Sequence, residues 1–357
     1  MRAHHAMVTA NMSRGTADGL AKVGDGMLRA GPLRDLPDLV RSFGIRFEPM
    51  LGAVGLPRDA LAASENVLKV EQAGQLLALC ARQCRCPHLG LLVGQRFTPA
   101  HLGLVGLQMM HATSLGAAFR SLILTLHLNG RALVPALVVR DGTALLSFSV
   151  YGVQEHFYSH LLDLALASAC SIMRILSGTP WSPAEVQIAH RPPADLRPYR
   201  RFFKSPLVFG SGKSGLLFPA SWLGRKVKGA NASTRRDLQH GIAALLAGQD
   251  LDLLSRVRRA LFASLNREDD SIDATARLLG MHKRTLNRRL AAHDTTFAKL
   301  LGEVRFQLAR QLLLQTDLPL VDVAATLNYT DASTFSRAFS SWAHMPPSAW
   351  RASRVSR

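Results

Sequence analysis

The stretch LNYTDASTFSRAFSSW, residues 327–342, decides the reading of the C-terminal part of the chain. Phe335 and Phe339 stand four residues apart and share one helical face, which Trp342 extends by a turn. Ser333, Ser336, Arg337 and Ser340 fall elsewhere on the helix. A purely solubilising face carries long charged chains such as Lys and Glu, whereas this one is short-chained with a single arginine. Such a face suits close approach by another body. An ordinary amphipathic surface helix is the competing reading of this local pattern.

Upstream, PLVDVAATLN predicts a short helix buried through Val321, Ala324 and Leu327, and Asn328-Tyr329-Thr330 predicts a turn. The same layout occurs earlier in the chain. SIDATARLLG is an amphipathic helix using Ile272, Ala276 and Leu279, Gly280-Met281 turns, and HKRTLNRRLAAH is a second helix buried through Leu286 and Leu290. A short helix, a tight turn and a second helix with an exposed polar face is the helix-turn-helix pattern. Ala276 and Ala324 stand where the paired helices cross, leaving no room for a larger side chain. Between the units, TFAKLLGEVRFQLARQLLLQT predicts one continuous helix that fixes their separation. Two units so held place their second helices in successive major grooves, roughly 34 Å apart on one face of DNA.

Composition agrees with a polyanionic partner. Across 357 residues the formal net charge is +18, which points to nucleic acid or an anionic membrane surface. Hydrophobic residues make up 48% of the chain, enough for two folded domains. No uninterrupted apolar run reaches the ~18 residues of a membrane span, and the N-terminus lacks the apolar centre of a secretory signal. Four cysteines do not make a disulfide framework, so a reducing cytoplasm is the expected compartment.

Residues 1–36 lack sustained periodicity and are expected to form a flexible tail. Helical patterns follow in LPDLVRSFGI, VEQAGQLLALCARQ and HLGLVGLQMMHATSLGAAFRSLILTLHL, with Thr113 or Ser114 as N-cap. Asp141-Gly142 between two β-prone runs predicts a hairpin over residues 133–151. A long apolar helix then ends at Gly178 and Pro180, and two more strand-like runs follow. From Arg191 to Arg236 there are eleven Lys/Arg against the single acid Asp195, ending in the small, polar, basic GRKVKGANASTRR.

The C-terminal region resembles the AraC/XylS family of transcription regulators. LLGMHKRTLNRRL, EVRFQLARQLL and ATLNYTDASTFSRAFSSW, followed by PPSAWR, carry the resemblance. HLGLVGLQMMHATSLGAAFRSL, VQIAHRPPADLRPYRRFF and PLVFGSGKSGLLFP resemble the N-terminal domain of the arabinose-binding/ornithine-utilisation-regulator type. The resemblance implies an N-terminal α+β regulatory domain followed by an all-α tandem helix-turn-helix DNA-binding domain. The expected boundaries are 37–224 for effector sensing and oligomerisation, 225–250 for a basic linker, and 251–357 for the DNA reader. By family position Ser333, Ser336 and Arg337 contact DNA, with Arg284, Asn287 and Arg288 at the matching places in the first unit. Arginine matches guanine O6/N7 and asparagine matches adenine N6/N7. Lys283 and Arg289 are better placed on phosphates. The implied partners are double-stranded DNA, a small-molecule effector, a second copy of the chain and RNA polymerase, with no membrane, no metal and no cofactor. The family usually has glycine where this chain has Asp294 and Asn328, and Gly-x-Ser-Pro where it has His344-Met345-Pro346-Pro347. Trp350 stands in place of the usual tyrosine.

Other constellations carry less. FGSGKSG lacks the first glycine of a phosphate-binding loop, whose place Leu207 takes, and no helix pattern follows it. Cys80, Cys84, Cys86 and His88 match no common zinc spacing, and the cysteines read as small buried hydrophobes. An enzyme or a metal/thiol sensor in the N-terminal domain is the alternative class, though no catalytic signature marks it. His127, Asn129 and His156 are the polar residues available to orient a ligand there. No enzymatic activity is expected.

Overall fold

The computed structural model describes residues 23–24, 26–150, 157–239, 253–265 and 270–352. Strands β1 (Met27–Arg29) and β2 (Val67–Lys69) pair antiparallel, with Leu28 opposite Leu68. Helices α1 (Leu36–Ser42), α2 (Glu48–Ala53), α3 (Val70–Gln83) and α4 (Leu89–Gln95) gather their apolar faces into one cluster beside this ribbon. Helices α5 (Gly103–Met110), α6 (Leu115–Thr125) and α7 (Tyr158–Ser177) share a larger core with a five-stranded sheet. The Ser114 hydroxyl accepts from the Ala117 amide and caps α6.

The sheet is built from β3 (Leu133–Arg140), β4 (Thr143–Val150), β5 (Glu185–Ile188), β6 (Leu207–Phe209) and β7 (Ser214–Pro219), in the order β3-β4-β7-β5-β6. Only β5 and β6 run parallel among these pairs, and α8 (Arg197–Phe203) makes the crossover that a parallel pair requires. Asp141 (φ 49°) and Gly142 (φ 74°) form the two-residue turn between β3 and β4, both left-handed as a type I′ turn needs. Helix α7 is long and apolar enough to cross a membrane by composition, but 72% of its most apolar window is buried inside this fold. It is the core helix of the N-terminal domain.

The C-terminal domain is all helical among its described residues: α9 (Leu253–Leu265), α10 (Ile272–Leu278), α11 (Lys283–Ala291), α12 (Phe297–Gln315), α13 (Leu320–Thr326), α14 (Ala332–Ala343) and α15 (Pro347–Ala352). Side chains cap four of them: Ser271 accepts from the Ala274 amide, His282 from Arg284, Thr296 from Lys299, and Asp331 from Thr334. Helix α12 has 19 residues, about 28 Å at ~1.5 Å per residue. Its first half contributes Leu300 and Val304 to a core with Val257, Leu261, Leu286 and Leu290. Its second half contributes Ala309, Leu312 and Leu313 to a separate core with Val323, Leu327, Phe335 and Phe339.

The structure corrects several expectations. The chain is not a tail up to residue 36: β1 is paired from Met27, and Ala30, Leu33 and Leu36 are buried. The segment beginning at Arg225 is fastened to the N-terminal domain rather than free. The Leu115 amide donates to the Arg225 carbonyl, the Lys228 amide donates to Leu176, and Val227 is buried. Residues 232–239 are helical, and residues 240–250 of the expected linker lie outside the described residues. In α13 the buried valine is Val323, while Val321 is 58% exposed. FGSGKSG is a turn joining β6 to β7, as its missing helix implied.

Candidate nucleic-acid interface

Each unit turns its apolar side to α12 and its polar side outward. In the first unit Leu286 and Leu290 are fully buried, and Lys283, Arg284, Asn287, Arg288 and Arg289 are exposed. In the second unit Phe335 and Phe339 are fully buried, Ser333 and Arg337 are exposed, and Ser336 is half-buried. Trp342 packs on Phe306 of α12 at 5.6 Å between ring centroids, and Phe306 also meets Phe339. The apolar face of the opening stretch is therefore spent on holding α14 to the spacer. Its short polar face is what remains outside.

The turns work without the family's glycines. Gly280 has φ 64°, and Asp294, Asn328 and His344 adopt the same left-handed region at 52°, 57° and 56°. Asp and Asn tolerate it with local side-chain help. After each first helix the chain doubles back to the buried alanine: the Met281 amide donates to the Ala276 carbonyl and the Tyr329 amide to Ala324, each at 2.9 Å. Asp331 accepts from the backbone amide and then the hydroxyl of Thr334, and these bonds hold its carboxyl below the usual range. Two candidates have neighbours of their own. Lys283 Nζ lies 3.3 Å from Asp273, and Arg337 donates weakly to Thr334 Oγ1 at 3.4 Å.

Arg305, on the middle of α12, ties the two units together. Its Nη2 donates to Asp270 Oδ2 at 2.8 Å and to the Asn328 carbonyl at 3.1 Å, and its guanidinium lies 4.4 Å from the Tyr329 ring centroid. Asp270 leads into the first unit and Asn328 is the turn of the second. Both partners of the ion pair are mostly buried, at 16% and 17% exposure.

The reader domain docks on the N-terminal domain through α9, α12 and α13, not through the faces carrying the eight candidate contacts. Arg191 grips Asp317 with two bonds of 2.7 and 3.1 Å. Gln311, buried on α12, donates to the Val150 carbonyl at 2.7 Å. Val134 of β3 belongs to the same core as Val257 and Leu261 of α9. In the turn after β6, a Cβ on Gly212 would lie 2.4 Å from Thr326 Oγ1 of α13.

A polar cleft of about 310 Å³ lies at this junction, lined by His160, Asp163, His190 and Tyr199 together with Leu314 and Gln315 of α12. Asp163 accepts from His190 Nε2 at 2.9 Å and from the Tyr199 hydroxyl at 2.5 Å. His190 Nδ1 faces the Arg191 carbonyl, so both ring nitrogens meet acceptors and the imidazolium is favoured. Burial alone would lower the His190 pKa, but the charge and hydrogen bond of Asp163 overcome it and raise the value. The notable sequence signal was an aspartate in the middle of an apolar helix.

A second cavity, of about 130 Å³, sits inside the N-terminal domain between α7 and the β3–β4 hairpin. The strand alternation makes this hairpin a shared wall. Leu133, Phe148 and Val150 line the cavity, while Val134, opposite Ser149, joins the reader's core. Asn129 lines the cavity, His127 does not, and His156 lies outside the described residues.

His127 is instead buried near the reader domain. Burial first, then the positive charges of Arg259, Arg131 and Arg256, lower its pKa from the ordinary 6.5 to about 4. Unfolded chain therefore takes up a proton between those values and folded chain does not. This contribution is present above pH 6.5 and is lost as pH falls toward 4. His127→Gln is expected to remove roughly 3 kcal/mol of the acid-side loss, measured by denaturant titration across that range.

The cysteines do not form a sensor of accessible thiolates. Cys80, Cys84, Cys86 and Cys170 are all buried. Burial pushes the Cys80 and Cys170 thiols up to about 12 and Cys86 up to about 11, which keeps them protonated and inert.

Paired helix-turn-helix units on one rigid helix, joined to an α+β domain, define a DNA-binding transcription regulator. A family model described as the N-terminal arabinose-binding domain of AraC transcription regulators matches residues 44–227, and a helix-turn-helix domain model matches residues 275–353. The chain belongs to the AraC family of transcription regulators. It is 32% identical over 321 residues to the ornithine utilization regulator of Pseudomonas aeruginosa, covering 88% of this chain and 94% of that protein. The HTH-type transcriptional regulator VirS of Mycobacterium tuberculosis is 25% identical over 329 residues, 91% of this chain and 96% of its own length. The crystal structure of the transcriptional regulator CdpR from Pseudomonas aeruginosa aligns with a TM-score of 0.43 and 20% identity, over 85% of this chain and 96% of that one.

Proposed function

We propose that α11 and α14 enter successive major grooves on one face of the duplex, and that an effector in the N-terminal domain biases this engagement. Arg284, Asn287 and Arg288 read base edges in one groove, and Ser333, Ser336 and Arg337 read them in the next. Lys283 and Arg289 neutralise phosphates, with Lys283 drawn from Asp273 when it does so. The observation that carries this reading is α12, one helix whose two halves complete the cores of both units. Self-association as a homodimer and contact with RNA polymerase belong to the same reading; sedimentation with and without operator DNA tests the first.

The β3–β4 hairpin is the relay. A molecule in the 130 Å³ cavity presses on Phe148 and Val150, and the Val150 carbonyl holds Gln311 on the spacer helix. Effector coupling in such systems is typically about 1–3 kcal/mol and is reciprocal between ligand and DNA. Gln311→Leu is expected to reduce that coupling by roughly 1 kcal/mol or more while the chain still binds operator. Operator affinity with and without effector, in both proteins, measures it. Equal coupling in the variant would remove the Val150–Gln311 contact from the mechanism.

A further inference from the structure

We infer that the ligand of the N-terminal cavity is an uncharged, mainly hydrocarbon molecule or moiety of about the size of benzene, and not a sugar or an amino acid. The inference rests on the proposed reading of this domain as the sensor. Only Asn129 and Ser168 among the lining residues have polar side chains, and none is ionisable. Helix α7 presents Leu161, Leu164, Ala165, Ala169 and Ile172 along one face, at helical spacing, with Ser168 between them. Leu122, Leu126, Phe148 and Val150 close the opposite side.

The energetics of such a wall select by polarity. An apolar cavity of about this volume has room for benzene or xenon. A pentose brings several hydroxyls, and each one left without a partner lowers affinity by roughly five- to a hundredfold. An amino acid brings an ammonium and a carboxylate that no lining side chain can neutralise. Arg29, beside the lining residue Leu28, is committed to the Leu128 carbonyl and to Glu65, and Arg131, between the lining residues Gly130 and Ala132, does not itself line the cavity. Selection is thus for shape and hydrocarbon area, with room for at most a weak polar group.

The test uses the full-length protein and two readouts, its thermal midpoint and its affinity for operator DNA. Probes are benzene, n-butylbenzene, L-arabinose and L-ornithine. Benzene is expected to raise the midpoint, because a ligand of the folded state alone stabilises it by mass action. Arabinose and ornithine at millimolar concentration should not. Ala169→Leu, which fills the cavity, should abolish the benzene shift. Leu122→Ala, which enlarges it, should improve butylbenzene binding at least fivefold relative to benzene, a gain that misfolding cannot mimic. Protection by arabinose or ornithine that Ala169→Leu abolishes would overturn the inference, as would the absence of any shift with both hydrocarbons. A benzene shift with unchanged operator affinity would uphold the ligand class and overturn the sensor reading.

Discussion

Replacing both Arg284 and Arg337 with alanine is expected to weaken binding to the cognate operator by about 2–6 kcal/mol, while binding to random duplex falls far less. Each arginine that pairs with a guanine edge contributes roughly 1–3 kcal/mol of discrimination. The two residues sit on different helices with separate cores, so their effects should add. Neither guanidinium is held in a strong intramolecular pair in the described structure; Arg337 makes only the long contact to Thr334. Lys283→Ala is the control. It removes a phosphate contact and should weaken cognate and random DNA alike, lowering the salt slope by about one. Competition binding at several salt concentrations separates the outcomes. If the arginine variants behaved like Lys283→Ala, the base-reading assignment would fail.

Arg305→Met is expected to destabilise the reader domain by roughly 3 kcal/mol and to uncouple its two units. Removing one member of a buried ion pair leaves the other charge without its partner, and that cost runs to about 3–5 kcal/mol when burial is complete. Here both members retain some exposure, which places the effect toward the low end. The carbonyl of Asn328 loses its donor and the Tyr329 ring its cation in the same change. Methionine keeps an unbranched apolar stem in the same place, so cavity formation adds little. The informative readout is affinity for a two-groove operator against affinity for a site matching either unit alone. The first is expected to fall much more than the second at a temperature where the variant is folded. Equal losses on both would reduce Arg305 to a residue of general stability.

The helix-turn-helix pair was legible because each unit encodes its core locally. Phe335 and Phe339 at helical spacing, the small residues Ala276 and Ala324, and turn residues that accept positive φ all lie within short segments. The spacer was legible for the same reason, since α12 is one uninterrupted amphipathic run with Thr296 as its cap. Val321 was misplaced because a seven-residue helix fits Val321-Ala324-Leu327 and Val323-Ala324-Leu327 about equally well by period. The three-residue strand β1 was lost in the expected tail because its partner β2 lies forty residues away. The shared wall between cavity and reader could not be read at all. Gln311 and Val150 are separated by 161 residues, and nothing local in either segment announces the other. Arg305 stands inside the spacer run, but its role as a tie depends on partners from both flanking units, which its own segment does not show.

Operator spacing tests most directly whether α12 fixes the two recognition helices at the spacing of successive major grooves. Genomic footprinting supplies the site, and its two half-sites are then separated by an insertion of about 5 bp, half a helical turn. Equilibrium affinity is measured for the original and the lengthened operator. The insertion, by turning the second half-site to the far side of the duplex, is expected to reduce affinity to that of one half-site alone. Undiminished affinity for the lengthened operator would contradict a rigid two-groove reader.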